Sequence, residues 1–283
     1  CGVRSARYCA QVSGRLERCV LPLLGNRDIR EIMAPEILEA LRLIEEQGKL
    51  NTAHLVRSYC SRIFRYAVAT GRAERDPTAD LRGALQPYKV EHRAALIDPN
   101  KIVQLVRAMN DFDGTPVVRS ALWFSAYTFA RPGEIRKAEW TEIDLDAAEW
   151  RIPAEKMKMR RPHIVPLARQ VVRLLSDLHG LTGRGVYVFP SLRSAKGTVP
   201  MSENTVLYAL RRMGFDATEM TAHGFRGMAS TRLNEMGWVP DVIERQLAHL
   251  DANKVRAAYN HAEYLAERRE MMQAWADWLE GVG

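Results

Sequence analysis

From Arg4 to about Asp80 the apolar residues recur three and four apart, with few β-branched runs, which predicts helices. Pro22 and Gly25 break the first of them. Ala34-Pro35-Glu36 opens a second, with proline suited to a first helical turn, and Gly48 closes it. Asn51 is placed to cap a long third segment ending before Gly71, whose buried stripe is expected at Leu55, Tyr59, Ile63 and Tyr66 or Ala67. The opposite face carries Arg57, Ser58, Ser61, Arg62 and Arg65. That face reads either as an ordinary solvated surface or as one that follows a phosphate backbone.

The stretch from Leu85 to Asp98 is polar, contains Pro87 and has no period, so it is expected to connect two domains, residues 1–92 and 93–283. A helix with Ile102, Leu105 and Val106 inside begins at Pro99, and a buried helix runs from Val117 to Phe129. The period then shortens to two. Glu142-Ile143-Asp144 and Glu149 to Ile152 flank an Asp146-Ala147 turn, and His163-Ile164-Val165 follows, which predicts a small antiparallel sheet. Helices resume at about Ala168, at Glu203 to Met213, at Met228 to Met236 with Gly237 as C-cap, and at Pro240 to Ala248. Leu265, Met272, Trp275, Trp278 and Leu279 share one face of a last helix. The expected fold class is mainly α with a small antiparallel β-sheet.

Composition supports two folded domains, because 283 residues at 47% hydrophobic content can build two cores. The 41 Lys+Arg against 34 Asp+Glu give a net charge of +7, which suits a polyanionic partner. Residues 1–92 are the more basic part, with 15 basic and 11 acidic side chains. The longest uncharged apolar run, Ser120 to Ala130, is too short for a membrane span, and no signal-peptide pattern is present. A soluble cytoplasmic protein without a membrane partner is therefore expected. Cys1, Cys9, Cys19 and Cys60 show no Cys-x-x-Cys spacing and read as reduced structural thiols. The chain opens on Cys1 rather than Met, and Cys1 to Ala10 reads as if already helical, so a natural N-terminal region is expected to be missing.

The candidate chemistry is spread along the second half. Arg131 precedes Pro132, with Glu134 in the first turn, which would set a guanidinium beside a helix N-terminus. His223-Gly224-Phe225-Arg226 is expected to precede another helix and to bring an imidazole and a second guanidinium one turn apart. His249 ends an apolar-patterned helix, and Tyr259 follows ten residues later. Between the arginines, the run Lys156-Met157-Lys158-Met159-Arg160-Arg161 leads into a strand; a lysine there could protonate a leaving alkoxide, and chemistry alone does not separate Lys156 from Lys158. Each feature alone has a plain structural explanation: a capped helix, a packed histidine, a charged turn, a packed tyrosine. Together they suit phosphoryl transfer, with forked cations for phosphate oxygens, imidazoles for protons and a phenol for attack.

Arg131, Lys158, His223, Arg226, His249 and Tyr259, in that order, resemble the signature of the tyrosine recombinase, or phage integrase, family. The flanking words sharpen the likeness: Phe129-Ala130-Arg131-Pro132-Gly133-Glu134-Ile135, His163-Ile164-Val165-Pro166-Leu167 and Tyr259-Asn260-His261-Ala262-Glu263-Tyr264-Leu265 are most similar to integrases of satellite-type prophages and genomic islands. The resemblance covers essentially the whole chain. It implies a helical N-terminal core-binding domain and a tyrosine-recombinase catalytic domain that clamp a duplex, with cleavage and rejoining through a 3′-phosphotyrosyl link to integrate or excise a mobile element.

By the same resemblance, Tyr259 would be the nucleophile, Arg131 and Arg226 the clamp on the non-bridging oxygens, and His223 an aid to proton transfer. His249 would hydrogen-bond the phosphate, Lys158 would protonate the leaving 5′-oxygen, and Glu134 would be a supporting carboxylate. Arg57, Arg62, Arg65, Lys156, Arg160 and Arg161 are the expected DNA contacts. The chemistry needs neither cofactor nor metal. The implied partners are double-stranded attachment sites, further copies of the chain assembled as a tetramer on DNA, and accessory bending or excision factors, at the bacterial nucleoid. The C-terminal helix would either dock on its own domain or, as the resemblance implies, pack on a neighbouring protomer. Two departures stand out: Ala248 replaces a common Gly before His249, and the arm-site-binding N-terminal domain of such integrases is not in this sequence. A type IB topoisomerase-like nicking-closing enzyme and a non-catalytic DNA-binding relative are the alternatives.

Overall fold

A computed structural model describes residues 6–89, 94–157, 159–249 and 263–283. The chain divides into two compact units, residues 1–91 and 92–283.

The first unit is built from helices α1 (Ala6–Cys19), α2 (Leu21–Leu24), α3 (Ala34–Glu46) and α4 (Leu50–Ala69), closed by a 3₁₀ turn at Pro77–Leu81. Pro35 sits in the first turn of α3, and the Glu36 carboxylate accepts the Met33 N–H at 2.9 Å, satisfying a donor that the helix cannot. Gly48, at φ +72, ends α3 in the left-handed region. Ile37, Leu41 and Ile44 pack on Ala53, Val56, Cys60 and Phe64, with Leu81 and Leu85 completing the core.

Three expectations are corrected here. Helix α4 starts one residue earlier than its supposed cap, so Asn51 lies inside it and Lys49 precedes it without a side-chain cap. Its buried stripe is Ala53, Val56, Tyr59, Cys60, Phe64 and Ala67, whereas Ile63 is 43% and Tyr66 64% exposed. Two apolar series with four-residue spacing run along this helix, and the face that meets α3 and the 3₁₀ turn is the one buried. Leu85, taken as the start of the connector, is instead buried in this core, and Leu96 in that of the second unit.

The second unit opens with α5 (Pro99–Asn110), α6 (Pro116–Thr128) and the short α7 (Pro132–Arg136). Asp98 caps α5 by accepting from the Asn100 N–H at 2.9 Å. Strands β1 (Ile143–Asp144), β2 (Glu149–Ile152) and β3 (His163–Pro166) form an antiparallel sheet in that order, with Trp150 opposite Val165 and Ile152 opposite His163. Helices α8 (Arg169–Thr182), α9 (Thr205–Arg212), α10 (Gly224–Glu235), α11 (Pro240–Gln246) and α12 (Leu265–Gly281) follow. The alternation of β2 buries Trp150 against Phe124 of α6, their rings 5.3 Å apart.

Helix α12 takes the first of its two expected arrangements. Its apolar face, Met271, Met272, Trp275, Ala276 and Leu279, is buried in its own unit against α6, β3, α10 and α11, not presented to a second protomer. Helix α10 begins at Gly224 rather than near Met228, so the His-Gly-Phe-Arg word forms its first turn. Gly224 is there for closeness. A Cβ at that position would lie 2.6 Å from the Ala94 carbonyl oxygen. Among the described residues, no helix is long and apolar enough to cross a membrane, and Cys9, Cys19 and Cys60 are free thiols.

Candidate functional site

The site gathers around the turn that ends α11. Ala248 N–H donates to the Arg245 carbonyl and His249 N–H to the Glu244 carbonyl, both at 3.1 Å, with Ala248 left-handed at φ +50. This is a Schellman ending with alanine where glycine is usual. It turns two consecutive carbonyls toward two arginines. Arg226, from the first turn of α10, donates to Leu247 O at 2.7 Å, and Arg131, from the start of α7, donates to Ala248 O at 3.0 Å. A second nitrogen of Arg226 reaches Phe129 O at 2.9 Å, where Phe129 at φ +39 turns the chain out of α6 toward Arg131.

Glu134 holds Arg131 twice. Its carboxylate accepts the Arg131 N–H at 3.1 Å and the guanidinium at 2.8 Å, while the side chain itself is 7% exposed. Arg226 is almost fully buried, and burial, then the charge of Arg131, pull its pKa down to about 10. It remains a cation at neutral pH. The Arg226 guanidinium also donates to His249 Nε2 at 3.1 Å, so that nitrogen carries no proton here and Nδ1–H donates to Glu244 at 2.7 Å. Three elements thus place two cations and an imidazole at one turn.

His223 is the residue before α10, half-buried, at the N-terminal end of the helix that carries Arg226. Lys158 and Tyr259 lie outside the described residues. Lys156 is tied to the Glu139 and Glu142 carboxylates and to Lys137 O at 3.0 Å. Burial lowers its pKa, but the two carboxylates outweigh that and the net shift is upward. Arg160 and Arg161 are exposed beyond it. On α4, Arg62 and Arg65 are exposed, but Arg57 is half-buried and donates to Leu81 O at 3.0 Å. Among the described residues, no group of His, Cys, Asp or Glu could hold a metal ion.

Reading the sequence missed Glu244, Gln246 and Arg268. Glu244 sits five residues before His249, a spacing that meets only through the turn. Gln246 and Arg268 pair inside the core, and nothing in their sequence neighbourhood distinguishes Arg268 from the more exposed Arg269.

Residues 95–265 match the phage integrase family, and residues 2–84 match the phage integrase central domain. The chain belongs to the phage integrase family. The integrase of Enterobacteria phage P4 is 40% identical over 291 residues, covering 98% of this chain and 66% of the phage protein. The chain therefore spans about two thirds of that curated relative's length. In fold it is similar to lambda integrase solved as a dimer bound to a core site, with a TM-score of 0.70 at 20% identity over 88% of this chain and 90% of that one. It is equally similar to the lambda integrase tetramer bound to a Holliday junction, at 0.70 and 21% over 89% and 74% of the two chains. The family is that of the tyrosine recombinases, and the helical architecture with its small three-stranded sheet is an integrase architecture.

Proposed function

We propose that this chain is a site-specific DNA recombinase that cleaves and rejoins duplex attachment sites to integrate or excise a mobile element. One observation carries the reading: Arg131 just before α7, Arg226 in α10 and His249 just after α11 converge on the turn at Leu247–Ala248. A charged pair of forked donors beside an imidazole suits a phosphodiester whose negative charge grows in the transition state. Residues 1–92 would be a core-type DNA-binding domain and residues 93–283 the catalytic domain.

In this reading the Tyr259 phenol oxygen attacks phosphorus, the bond to the 5′-oxygen breaks, and a 3′-phosphotyrosyl ester remains. His223 assists removal of the tyrosine proton, and Lys158 gives a proton to the departing 5′-oxygen. Attack by the 5′-hydroxyl of another strand reverses both steps and conserves the bond energy, so no nucleotide cofactor enters. Arg131 and Arg226 hold the non-bridging oxygens, with Glu134 fixing the Arg131 fork. His249 gives a phosphate oxygen a hydrogen bond when Nε2 carries a proton. The occupation of Lys156 by two carboxylates favours Lys158 as the acid. Arg62, Arg65, Arg160 and Arg161, all exposed, are the better phosphate contacts, and Arg57 and Lys156 the poorer ones. A tetramer on DNA, with accessory bending or excision factors, at the nucleoid of a bacterial cytoplasm, would complete the reaction.

The test is a nicked suicide duplex taken from the junction between the element and its host chromosome. A covalent protein–DNA adduct is expected from the wild type and none from Tyr259→Phe. An adduct that persists in the variant would move the nucleophile elsewhere, with Tyr264 next. A wild type that binds the duplex yet forms no adduct overturns the proposal.

A further inference from the structure

Arg268 is the most deeply buried cation in the chain's described core, at 0% exposure. Its guanidinium meets no carboxylate within ion-pair distance among the described residues. It donates instead to the Gln246 side-chain oxygen through Nε at 2.9 Å and Nη2 at 2.7 Å, to Ile164 O, and to Glu263 O at 3.3 Å. Gln246 is itself 2% exposed, and its backbone carbonyl faces His163 Nε2 at 3.2 Å. The Gln246 amide nitrogen and His163 Nδ1 are buried without hydrogen-bond partners among the described residues.

Such a cluster is a poor way to stabilise a core. Among the described residues this cation rests on oxygen dipoles, with the Glu263 carboxylate acting only from beyond ion-pair distance. Such a buried charge loses hydration that carbonyls only partly replace, and each orphaned polar atom adds to the deficit. Hydrocarbon side chains of similar volume would hold these elements together at least as well. What hydrocarbon cannot do is fix direction, which a planar fork with several acceptors does. The acceptors come from three places that matter to the site. Ile164 lies on β3, the strand that leaves the basic hairpin. Gln246 immediately precedes Leu247 and Ala248, whose carbonyls seat Arg226 and Arg131. Glu263 is where the described chain resumes ahead of α12, and its side chain pairs with Arg245 of α11.

We propose that Arg268 is a positioning residue for strand cleavage: its fork sets the turn at residues 246–249 relative to β3 and to the start of α12. The two arginines and His249 then meet a phosphate in register. The inference rests on the recombinase reading and adds to it a residue that touches neither DNA nor the reacting atoms.

The test compares Arg268→Lys, Arg268→Met and the double variant Arg268→Met with Gln246→Leu in the full chain. Three quantities are read: the unfolding midpoint, duplex affinity, and the single-turnover rate of adduct formation on the nicked suicide duplex at saturating protein. The double variant replaces the buried charge and its acceptor with hydrocarbon, so it should fold and bind within about threefold of wild type. Its saturated cleavage rate should nonetheless fall at least tenfold, and Arg268→Lys, which keeps the charge without the fork, should lie between. A double variant that cleaves at the wild-type rate once saturated overturns the proposal. So does a series in which cleavage merely tracks the unfolding midpoint, Arg268→Lys providing the comparison should the methionine variants misfold. A wild type that forms no adduct in the same gel is the failure of the recombinase reading, and Arg268 is not what fails there.

Discussion

Trp275 decides whether the last helix belongs to its own protomer. Its side chain is fully buried, stacks on Trp278 with centroids 5.3 Å apart, and meets Phe129 edge-on at 6.2 Å. Its indole N–H donates at 2.9 Å to the carbonyl of Ala126, in the last turn of α6, where the helix ladder leaves carbonyls unsatisfied. Truncation by Trp275→Ala removes a large core side chain, a loss of about 3–5 kcal/mol. For a unit of this size each kcal/mol moves the midpoint by about 2–4 °C, so unfolding should come roughly 6–20 °C earlier. Trp275→Phe keeps a ring and loses only the N–H and some volume, and should sit between, at about 1–3 kcal/mol. The assay is thermal unfolding followed by circular dichroism, with sedimentation of each variant in parallel. If Trp275→Ala melts within about 2 °C of wild type while self-association on DNA weakens, the helix docks on a neighbouring protomer and the reasoning fails.

Other outcomes follow from the same geometry. Ala248→Gly should stabilise the chain by about 0.5–1 kcal/mol, because a left-handed alanine costs about 1–2 kcal/mol and glycine's extra freedom when unfolded returns only part of that; the urea midpoint should rise with an unchanged slope. Lys156→Met should lose about 1–3 kcal/mol by stranding Glu139 and Glu142 and leave the salt dependence of duplex binding as it was. Arg160→Ala or Arg161→Ala should do the opposite, flattening that slope by about 0.9 each without loss of stability, and a slope unmoved by either would remove them from the interface. His163 is buried beside Arg268, Arg245 and Arg131, and burial first, then those charges, push its pKa down to about 3. The unfolded chain therefore takes up the proton first: this contribution to stability is complete above about pH 6.5 and lost as the pH falls toward 3, reaching about 1.4 kcal/mol at pH 5.5. A His163→Gln variant should lack that part of the slope between pH 5 and 7, and a wild-type curve no steeper than the variant's would refute the assignment.

The sequence made the mainly helical class and the three short strands readable, because each rests on local information: a change of period, a proline at a helix start. The errors came where tertiary contact chose between local equals. Two apolar series on α4 share one spacing, and only the docking of α3 selects Val56, Cys60 and Phe64 over Ile63 and Tyr66. The sequence pattern places the start of α10 near Met228 instead of Gly224, where the close approach of Ala94 is a tertiary contact. Glu244, Gln246 and Arg268 could not have been picked out, since their partners lie 5, 22 and 104 residues away and no periodicity links them.

What the structure adds is a reason for the site's place. Among the described residues, the two arginines answer to backbone carbonyls more than to carboxylates: Glu134 is the acid on Arg131, and Arg226 has carbonyls and an imidazole. A carbonyl orients a guanidinium without cancelling its charge, whereas a carboxylate would do both. Burial first, then the charge of Arg131, lowers the pKa of Arg226, so part of the cation repulsion is left in place. In the proposed reaction an approaching phosphodiester would meet donors already aimed and a charge deficit it can relieve, which is what electrostatic preorganisation requires. The same logic runs one layer deeper. Arg268 also rests on carbonyls and an amide oxygen, and through Gln246 it supports the turn on which the outer pair depends. Ala248 thus meets a demand that glycine usually meets at such a helix end, a left-handed residue that turns two carbonyls toward two cations.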